Sequence, residues 1–531
     1  MTAGRELPQP GCPGAPHGAQ GDGNRAPAEL IVLAVLAVLA GVVLRFVARS
    51  PMWLDEALSV NIAQLPLGEI PDALRHDGHP PLYYVLLHGW IRLFGTSDLA
   101  VRSLSGVFAV GTLPLAWLAG RRRGGPVLAW LALLVLALSP FALRYATEAR
   151  MYALVMLLVS AGWLLVDGAV RLGHDRTAQL AAITLTTAAL LYTHYWSLWL
   201  LGAAAALLVW RVRRGQDDGE RRRARRVLVS LAVGGLLFIP WLPVLLDQSR
   251  HTGTPWSGPP RPTSILATTL TDFGGGRFRD AELVSGMILV LVLLAVFGAA
   301  RDRFRIEIDV RTTPPFRAEA FVVAATLTLG AGVSYATWSA YATRYASVVF
   351  PLVMLLVAGG IARFADRWVR DGVALAMTGA FLLGAVYNVT STRTQAGMIG
   401  SAVAQRAVAG DVVVYCPDQL GPAGSREMPG DLVQLIYPTL DGPVRVDWRD
   451  YEERNRRADP VAIAGEILRR AGPTHQIFVV WSGGYATFEG QCETLLDTLA
   501  AARPGATLLV EERADTYFEH AQLVLLPASD R

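Results

Sequence analysis

The chain has 531 residues, of which 52% are hydrophobic and only 17% charged, with a positive mean hydropathy of +0.36. A water-soluble protein of this length carries about a quarter charged residues, so the composition excludes that class and points to a polytopic α-helical membrane protein. The net charge of +4 and a pI near 9.0 do not make it a nucleic-acid binder. Its 48 basic residues, all arginine, sit in short loops between apolar runs rather than on one face, and any phosphate contact here must use Arg or His.

Residues 1–28 are rich in Gly, Pro and Ala without apolar periodicity and read as a disordered cytoplasmic tail. No secretory signal is expected, since the first apolar run has neither a charged segment directly ahead nor a cleavage site behind it. Apolar runs then recur at 29–47, 103–120, 126–143, 151–170, 178–193, 196–210, 227–246, 283–300, 321–338, 345–362 and 372–388. Each is close to the length a helix needs to cross about 30 Å of hydrocarbon, and backbone in lipid must satisfy its own hydrogen bonds, so eleven transmembrane helices are expected. The stretch from His79 to Phe94 is shorter and carries His88 and Arg92, which suits a helix lying at the outer interface.

Orientation follows from arginine. Arg121–Arg123, the cluster from Arg211 to Arg226, the loop from Arg301 to Arg317, and Arg363, Arg367 and Arg370 occupy alternate loops. The positive-inside tendency puts these four loops and the N-terminus in the cytoplasm. The other loops carry Asp55, Glu56, Asp77, His79, Glu148 and His194, which collects the carboxylates and imidazoles on the outer side. The loop from Asp247 to Asp280, with Trp256, several prolines and Gly274–Gly276, is outer-facing too, as a cover for a bound substrate or a plain connector.

After residue 389 the composition changes. Asp411–Cys416, Gln476–Trp481, Ala506–Val510 and Ala521–Leu526 read as short buried strands, with helical stretches at 460–471 and 490–502. Residues 390–531 are therefore expected to form a soluble α/β domain outside the cytoplasm, following a transmembrane module over 29–389. Of the three cysteines, Cys12, Cys416 and Cys492, the last two share this domain, where a disulfide is chemically allowed. Their spacing matches no metal motif.

Several loop residues bear chemistry. Asp55 and Glu56 follow a membrane helix in Ser-Pro-Met-Trp-Leu-Asp-Glu-Ala; such a pair also occurs as solvated interface groups. Asp77-Gly-His-Pro-Pro-Leu-Tyr-Tyr has two prolines that fix the backbone, which lets a rigid turn hold Asp77 and His79 against that loop. Arg144, Glu148 and Arg150 stand at the next helix junction, as an interfacial ion pair or as functional groups at membrane depth. His194 lies among aromatics in Tyr-Thr-His-Tyr-Trp, as an interface anchor or as a partner of Glu148, His79 or Asp77. Two imidazoles and a carboxylate suit a divalent metal. Arg344 and Tyr345 open a late span in Tyr-Ala-Thr-Arg-Tyr-Ala, where interfaces also favour them.

The Leu-Asp-Glu loop, the His-Pro-Pro-Leu-Tyr-Tyr turn, the Glu-Ala-Arg-Met-Tyr element, the Thr-His-Tyr turn and the late Arg-Tyr helix start occur in this order over about residues 30–390. In that order they resemble the GT-C glycosyltransferases, specifically the family 39-like branch related to protein O-mannosyltransferases and lipid A aminoarabinose transferases. The resemblance implies a GT-C fold, a polyprenyl-phosphate sugar donor, a lipid, glycan or protein acceptor, and an inverting displacement at the outer membrane face. It implies Asp55 as the base or as the group that orients the acceptor, with Glu56 supporting it or contacting the acceptor. Arg150, Arg344 and Tyr345, with Arg102 and Arg144 behind them, are the implied contacts of the donor phosphate. In some relatives Glu and His hold a metal, which makes Glu148, His194, His79 and Asp77 the metal set. The aminoarabinose branch carries Lys where this chain has His79. The competing reading is a transporter or flippase of lipid-linked sugars, but those put charges near the midplane and show paired repeats, and no internal repeat is visible here.

Overall fold

The computed structural model describes residues 26–253 and 261–529. Most of the expected tail, Cys12 and Trp256 lie outside the described residues.

A helix occupies each of the eleven apolar runs. Five elements are long and apolar enough to cross a membrane: Asp98–Leu138, Tyr152–Val170, Asp218–His251, Pro314–Ala336 and Arg367–Thr390; Ala28–Leu44, Thr177–Thr193, Ala281–Phe297 and Phe350–Ile361 are shorter apolar helices. The chain is a multi-pass membrane protein. Asp98–Leu138 accommodates two runs because it is not one rod. Gly124 and Gly125 leave helical geometry, Gly125 at φ 77°, and the rings of Trp117 and Trp130 meet edge to face at 6.3 Å. Thirteen residues of straight helix would hold them about 20 Å apart, so the chain doubles back at the glycine pair, with Arg121–Arg123 at the turn.

The His79–Phe94 stretch holds a helix, Leu82–Phe94, with Tyr83, Tyr84, Leu87 and His88 buried and Leu86, Leu93 and Phe94 exposed. The Asp247–Asp280 loop is more ordered than its glycines and prolines suggested: it contains the end of Leu242–His251 and the whole helix Pro262–Phe273.

The C-terminal part contains a five-stranded sheet flanked by helices. A small hairpin earlier in the chain supplies β1 (Gly298–Ala300) and β2 (Ile306–Ile308). The sheet is then β3 (Val412–Cys416), β4 (Val433–Ile436), β5 (Ile477–Trp481), β6 (Thr507–Val510) and β7 (Gln522–Leu526), in the order β4-β3-β5-β7-β6. β3 runs parallel to β4 and β5, while β7 is antiparallel to β5 and β6. Alternation sends Val412, Val414, Ile477 and Val479 to one apolar layer and Val413, Tyr415, Phe478 and Val480 to the other, so both faces of the sheet are covered. Four strands and both helices fall where the sequence placed them; β4 was not anticipated. Cys416 and Cys492 form a disulfide with Cα atoms 5.6 Å apart.

Trp53, Leu54 and Leu58 of the first loop belong to the first of those apolar layers. The Trp448 N–H donates to the His76 carbonyl at 3.0 Å, and the Asp450 N–H to that of His251 at 2.8 Å. Arg449 forks onto Asp247 at 2.7 and 3.1 Å. The C-terminal part thus packs directly on the loops that carry the candidate residues.

Candidate functional site

The first loop enters helix Leu54–Ala63 through an extended Trp53. The Leu54 N–H at this N-terminus donates to a carboxyl oxygen of Glu519 at 3.1 Å, a group that burial pushes up to about 8. Asp55 and Glu56 are the next two residues. Successive helical positions diverge by about 100°, which sends the two carboxylates to different fates.

Glu56 is fully buried. It accepts the Arg102 guanidinium fork at 2.7 Å through both oxygens and the Ala149 N–H at 2.9 Å. Arg102 also donates to the carbonyls of Ser50 and Pro51 at 2.8 and 3.3 Å. Burial works against the charged form of Glu56, but Arg102 and the Ala149 N–H hold its carboxyl below the ordinary value. This pair ties the first loop to the hairpin of helices and to the Thr147–Met151 turn.

Asp55 faces two other arginines. Its Oδ2 lies 3.4 Å from Nη2 of Arg344 and 3.7 Å from Nη2 of Arg150. The Arg344 guanidinium also sits 5.6 Å from the centre of the Trp53 ring, a cation–π position. Arg150 Nη1 donates to Ser59 Oγ at 3.0 Å and to the Asp55 carbonyl at 3.3 Å. Its Nη2 stands 3.1 Å from His79 Nε2. Because Arg only donates, Nε2 is the acceptor and Nδ1–H donates to Asp77, 2.9 Å away. The Tyr84 hydroxyl donates to the same Asp77 oxygen at 2.8 Å. Burial raises the Asp77 carboxyl, yet His79, Arg150 and Tyr84 outweigh it and hold it below its ordinary value. The backbone permits this turn because Gly78 takes φ 84° at the end of Ile70–Asp77, and Pro80-Pro81 then launches the next helix.

A second cluster adjoins. Arg144 reaches Glu148 at 3.4 Å and Asp272 at 3.3 Å, and Arg393 reaches Glu148 at 2.9 Å and Glu56 at 4.0 Å. Beyond Arg344, the Tyr345 ring lies 5.3 Å from His194 and 5.7 Å from Trp196. Tyr152 is 5.7 Å from His194 on its other side. His194 Nδ1 accepts the Trp196 N–H at 3.1 Å.

The structure therefore brings Asp55, Arg150, Arg344, His79 and Asp77 together, puts Glu56 with Arg102 behind them, and sets Arg144 with Glu148 beside them. The expected metal set does not assemble. Asp77 and His79 bond to each other, Glu148 is taken up by Arg144 and Arg393, and His194 stands in an aromatic surround. Among the described residues no three His, Cys, Asp or Glu side chains stand close enough to hold an ion. The donor set does not fit a resident divalent metal, and no step below is routed through one.

Arg393, Asp272, Trp53, Tyr84 and Glu519 were not singled out from sequence. Trp53 and Tyr84 were within reach, being inside the quoted motifs. Arg393, Asp272 and Glu519 lie where no motif marks them, 128 to 465 residues from their partners in the first loop and the second junction.

No family model matches the chain, and no curated relative does. Its fold is similar to ArnT from Cupriavidus metallidurans in the apo state, at TM-score 0.61 and 13% identity over 93% of this chain and 98% of that one. The same protein bound to undecaprenyl phosphate gives TM-score 0.57 at 13% identity over 94% and 98%. The Archaeoglobus fulgidus oligosaccharyltransferase in complex with Zn and sulfate gives 0.50 at 12% identity over 85% and 67%. These neighbours are GT-C glycosyltransferases, and the GT-C fold expected from the order of the motifs is present.

Proposed function

We propose that this protein is a membrane glycosyltransferase that moves a sugar from a polyprenyl-phosphate donor to an acceptor hydroxyl at the outer face of the membrane, with inversion. The observation that carries this reading is a carboxylate, Asp55, aimed between two guanidiniums, Arg150 and Arg344, at one end of a GT-C helix bundle. The fold's likeness to a protein crystallised with undecaprenyl phosphate supports the choice of donor.

The chemistry needs both charges. As the bond from the anomeric carbon to the phosphate oxygen breaks, the leaving group gains negative charge, and planar guanidiniums stabilise phosphate through paired hydrogen bonds. Arg344 and Arg150 take that role, with Tyr345 alongside and Arg144 behind. The acceptor oxygen attacks the opposite face of the sugar, and its proton passes to Asp55, a step worth about 10²–10⁴ in rate. Glu56 and Arg102 act as positioning residues, because each is engaged by the other. Asp77 and His79 hold Arg150 in place.

In this reading the eleven helices each cross the bilayer, the N-terminus is cytoplasmic, and the C-terminal part is an extracytoplasmic domain that helps select a lipid, glycan or protein acceptor. The Cys416–Cys492 disulfide supports that side, since such bonds persist in oxidising compartments.

Purified protein given a polyprenyl-phosphate sugar is expected to transfer or slowly hydrolyse it, and Asp55→Asn to abolish this while donor binding and expression persist. Undiminished turnover in that variant would overturn the assignment. Chelation is expected to leave turnover unchanged; loss restored by an added ion would reinstate the metal.

A further inference from the structure

The opposite end of the bundle carries a site that the proposed transfer does not use. Helix Tyr152–Val170 starts at the candidate site and ends about 28 Å away at a cleft of about 790 Å³. Six arginines and two carboxylates line this cleft. Arg123 and Arg171 are held by Asp167, at 3.2 and 2.9 Å, and Arg211 by Glu220 at 3.3 Å. Arg214, Arg223 and Arg317 form no ion pair among the described residues. Trp210 and Phe321, 57% and 44% exposed, also line it.

Two much smaller cavities, of about 30 and 50 Å³, adjoin the cleft. Arg123, Val170 and Leu207 are shared with a narrow crevice, and that crevice shares Trp163, Val166 and Ala204 with a third, lined almost wholly by apolar side chains such as Leu190, Leu200 and Leu231. The arrangement is cationic and roomy outside, apolar and narrow within. Arginines that merely set orientation need only lie in the right loops; they need not converge on one cleft that adjoins apolar cavities.

We infer that this cleft binds a lipid with an anionic phosphate headgroup, the headgroup among Arg211, Arg214, Arg223 and Arg317 and the start of one chain in the apolar cavities past Val166 and Ala204. A soluble phosphate would use the cleft and leave the cavities without purpose. A neutral lipid would use the cavities and leave three arginines without a counter-ion. The site is separate from the donor site, and its binding test is independent of whether the protein transfers sugar.

The test uses the full chain purified into nanodiscs of equal parts phosphatidylglycerol and phosphatidylcholine, then released for native mass spectrometry of the lipids it retains. The wild type is expected to retain phosphatidylglycerol about tenfold over phosphatidylcholine, and Arg211→Ala/Arg214→Ala to bring that ratio close to one, each arginine near an anionic lipid being worth about 1 kcal/mol. Arg214 is exposed and Arg211 is half-buried against Glu220, and both lie outside the proposed catalytic machinery, so sugar transfer should be unchanged. Ala204→Phe, which fills the cavities, is expected to lower retention with the arginines intact. Equal retention of the two lipids, an unchanged preference in the double variant, or displacement of the lipid by millimolar inorganic phosphate would each overturn the inference. So would full retention by Ala204→Phe.

Discussion

Asp55 and Glu56 are neighbours in sequence with opposite physical situations, and the difference is measurable. Glu56→Gln removes the charge opposite a buried Arg102, and breaking a buried pair on one side costs about 3–5 kcal/mol; reduced yield and a lower unfolding temperature are expected. Asp55→Asn takes the charge from beside Arg344 and Arg150 but keeps a polar group of the same shape in a less buried place, so a smaller loss of stability is expected together with loss of turnover. From sequence only the family resemblance told the two carboxylates apart, because a one-residue step on a helix is a change of direction that only the packed structure resolves. Arg344 offers a second contrast. Lys at that position keeps the charge but loses the fork and the stacking on Trp53, so Arg344→Lys should raise the donor KM and lower kcat/KM by about 10²-fold or more, as steady-state kinetics over donor concentration will show. Asp418, 2% exposed and bonded to the Tyr451 hydroxyl, illustrates the pH consequence of burial. Burial pushes its carboxyl up to about 7 from 3.8, against the pull of Tyr451 and Arg454. The folded state then binds the proton that the unfolded chain releases. Stability is therefore fully present below pH 3.8 and falls, by up to about 1.4 kcal/mol per unit, until about pH 7. Thermal unfolding across this range should lose that slope in Asp418→Asn.

At the scale of elements, what the sequence displayed well was apolar length. Every run became a helix, since nothing else satisfies backbone in lipid. What it concealed were contacts made by small residues and by chain reversal. The Gly124–Gly125 break is legible as a glycine pair, yet its outcome, two helices laid back to back, depends on the approach of Gly120 to the backbone of Leu128 and Ala129. Strand β4, Val433–Ile436, was not anticipated; it is defined by its parallel pairing with β3. Helix Pro262–Phe273 was hidden by the prolines and glycines around it, and it brings Asp272 to Arg144. Gly360 tests the role of close approach. A Cβ there would lie 2.0 Å from the Leu291 carbonyl oxygen, backbone against backbone, which no rotamer change relieves. Gly360→Ala should push helices Ala281–Phe297 and Phe350–Ile361 apart and cost about 1–3 kcal/mol, seen as a lower unfolding temperature. Gly286→Ala on the first of these helices, where a Cβ meets nothing within 4 Å, should not.

At the scale of the molecule, the two ends of the bundle differ in chemistry. One gathers Asp55, Asp77, His79 and Glu148 beneath the disulfide-bearing C-terminal part; the other gathers six arginines, three of them in ion pairs, around a cleft of about 790 Å³. If the arginine-rich end faces the cytoplasm, the first end faces outward, and single cysteines can report it. Cys416 and Cys492 are already joined, so replacing Cys12 by Ser leaves no free thiol. On that background Ser401→Cys, exposed on helix Ala396–Ala404, and Arg222→Cys, exposed beside the cleft, mark the two ends. A membrane-impermeant maleimide added to intact cells is expected to label Ser401→Cys at once and Arg222→Cys only after permeabilisation. The reverse pattern would move the transfer reaction to the cytoplasmic face and leave the geometry of the site untouched. Labelling of both from outside would mean that the two ends share one side, which the length of helix Tyr152–Val170 does not allow for a bundle that spans the bilayer.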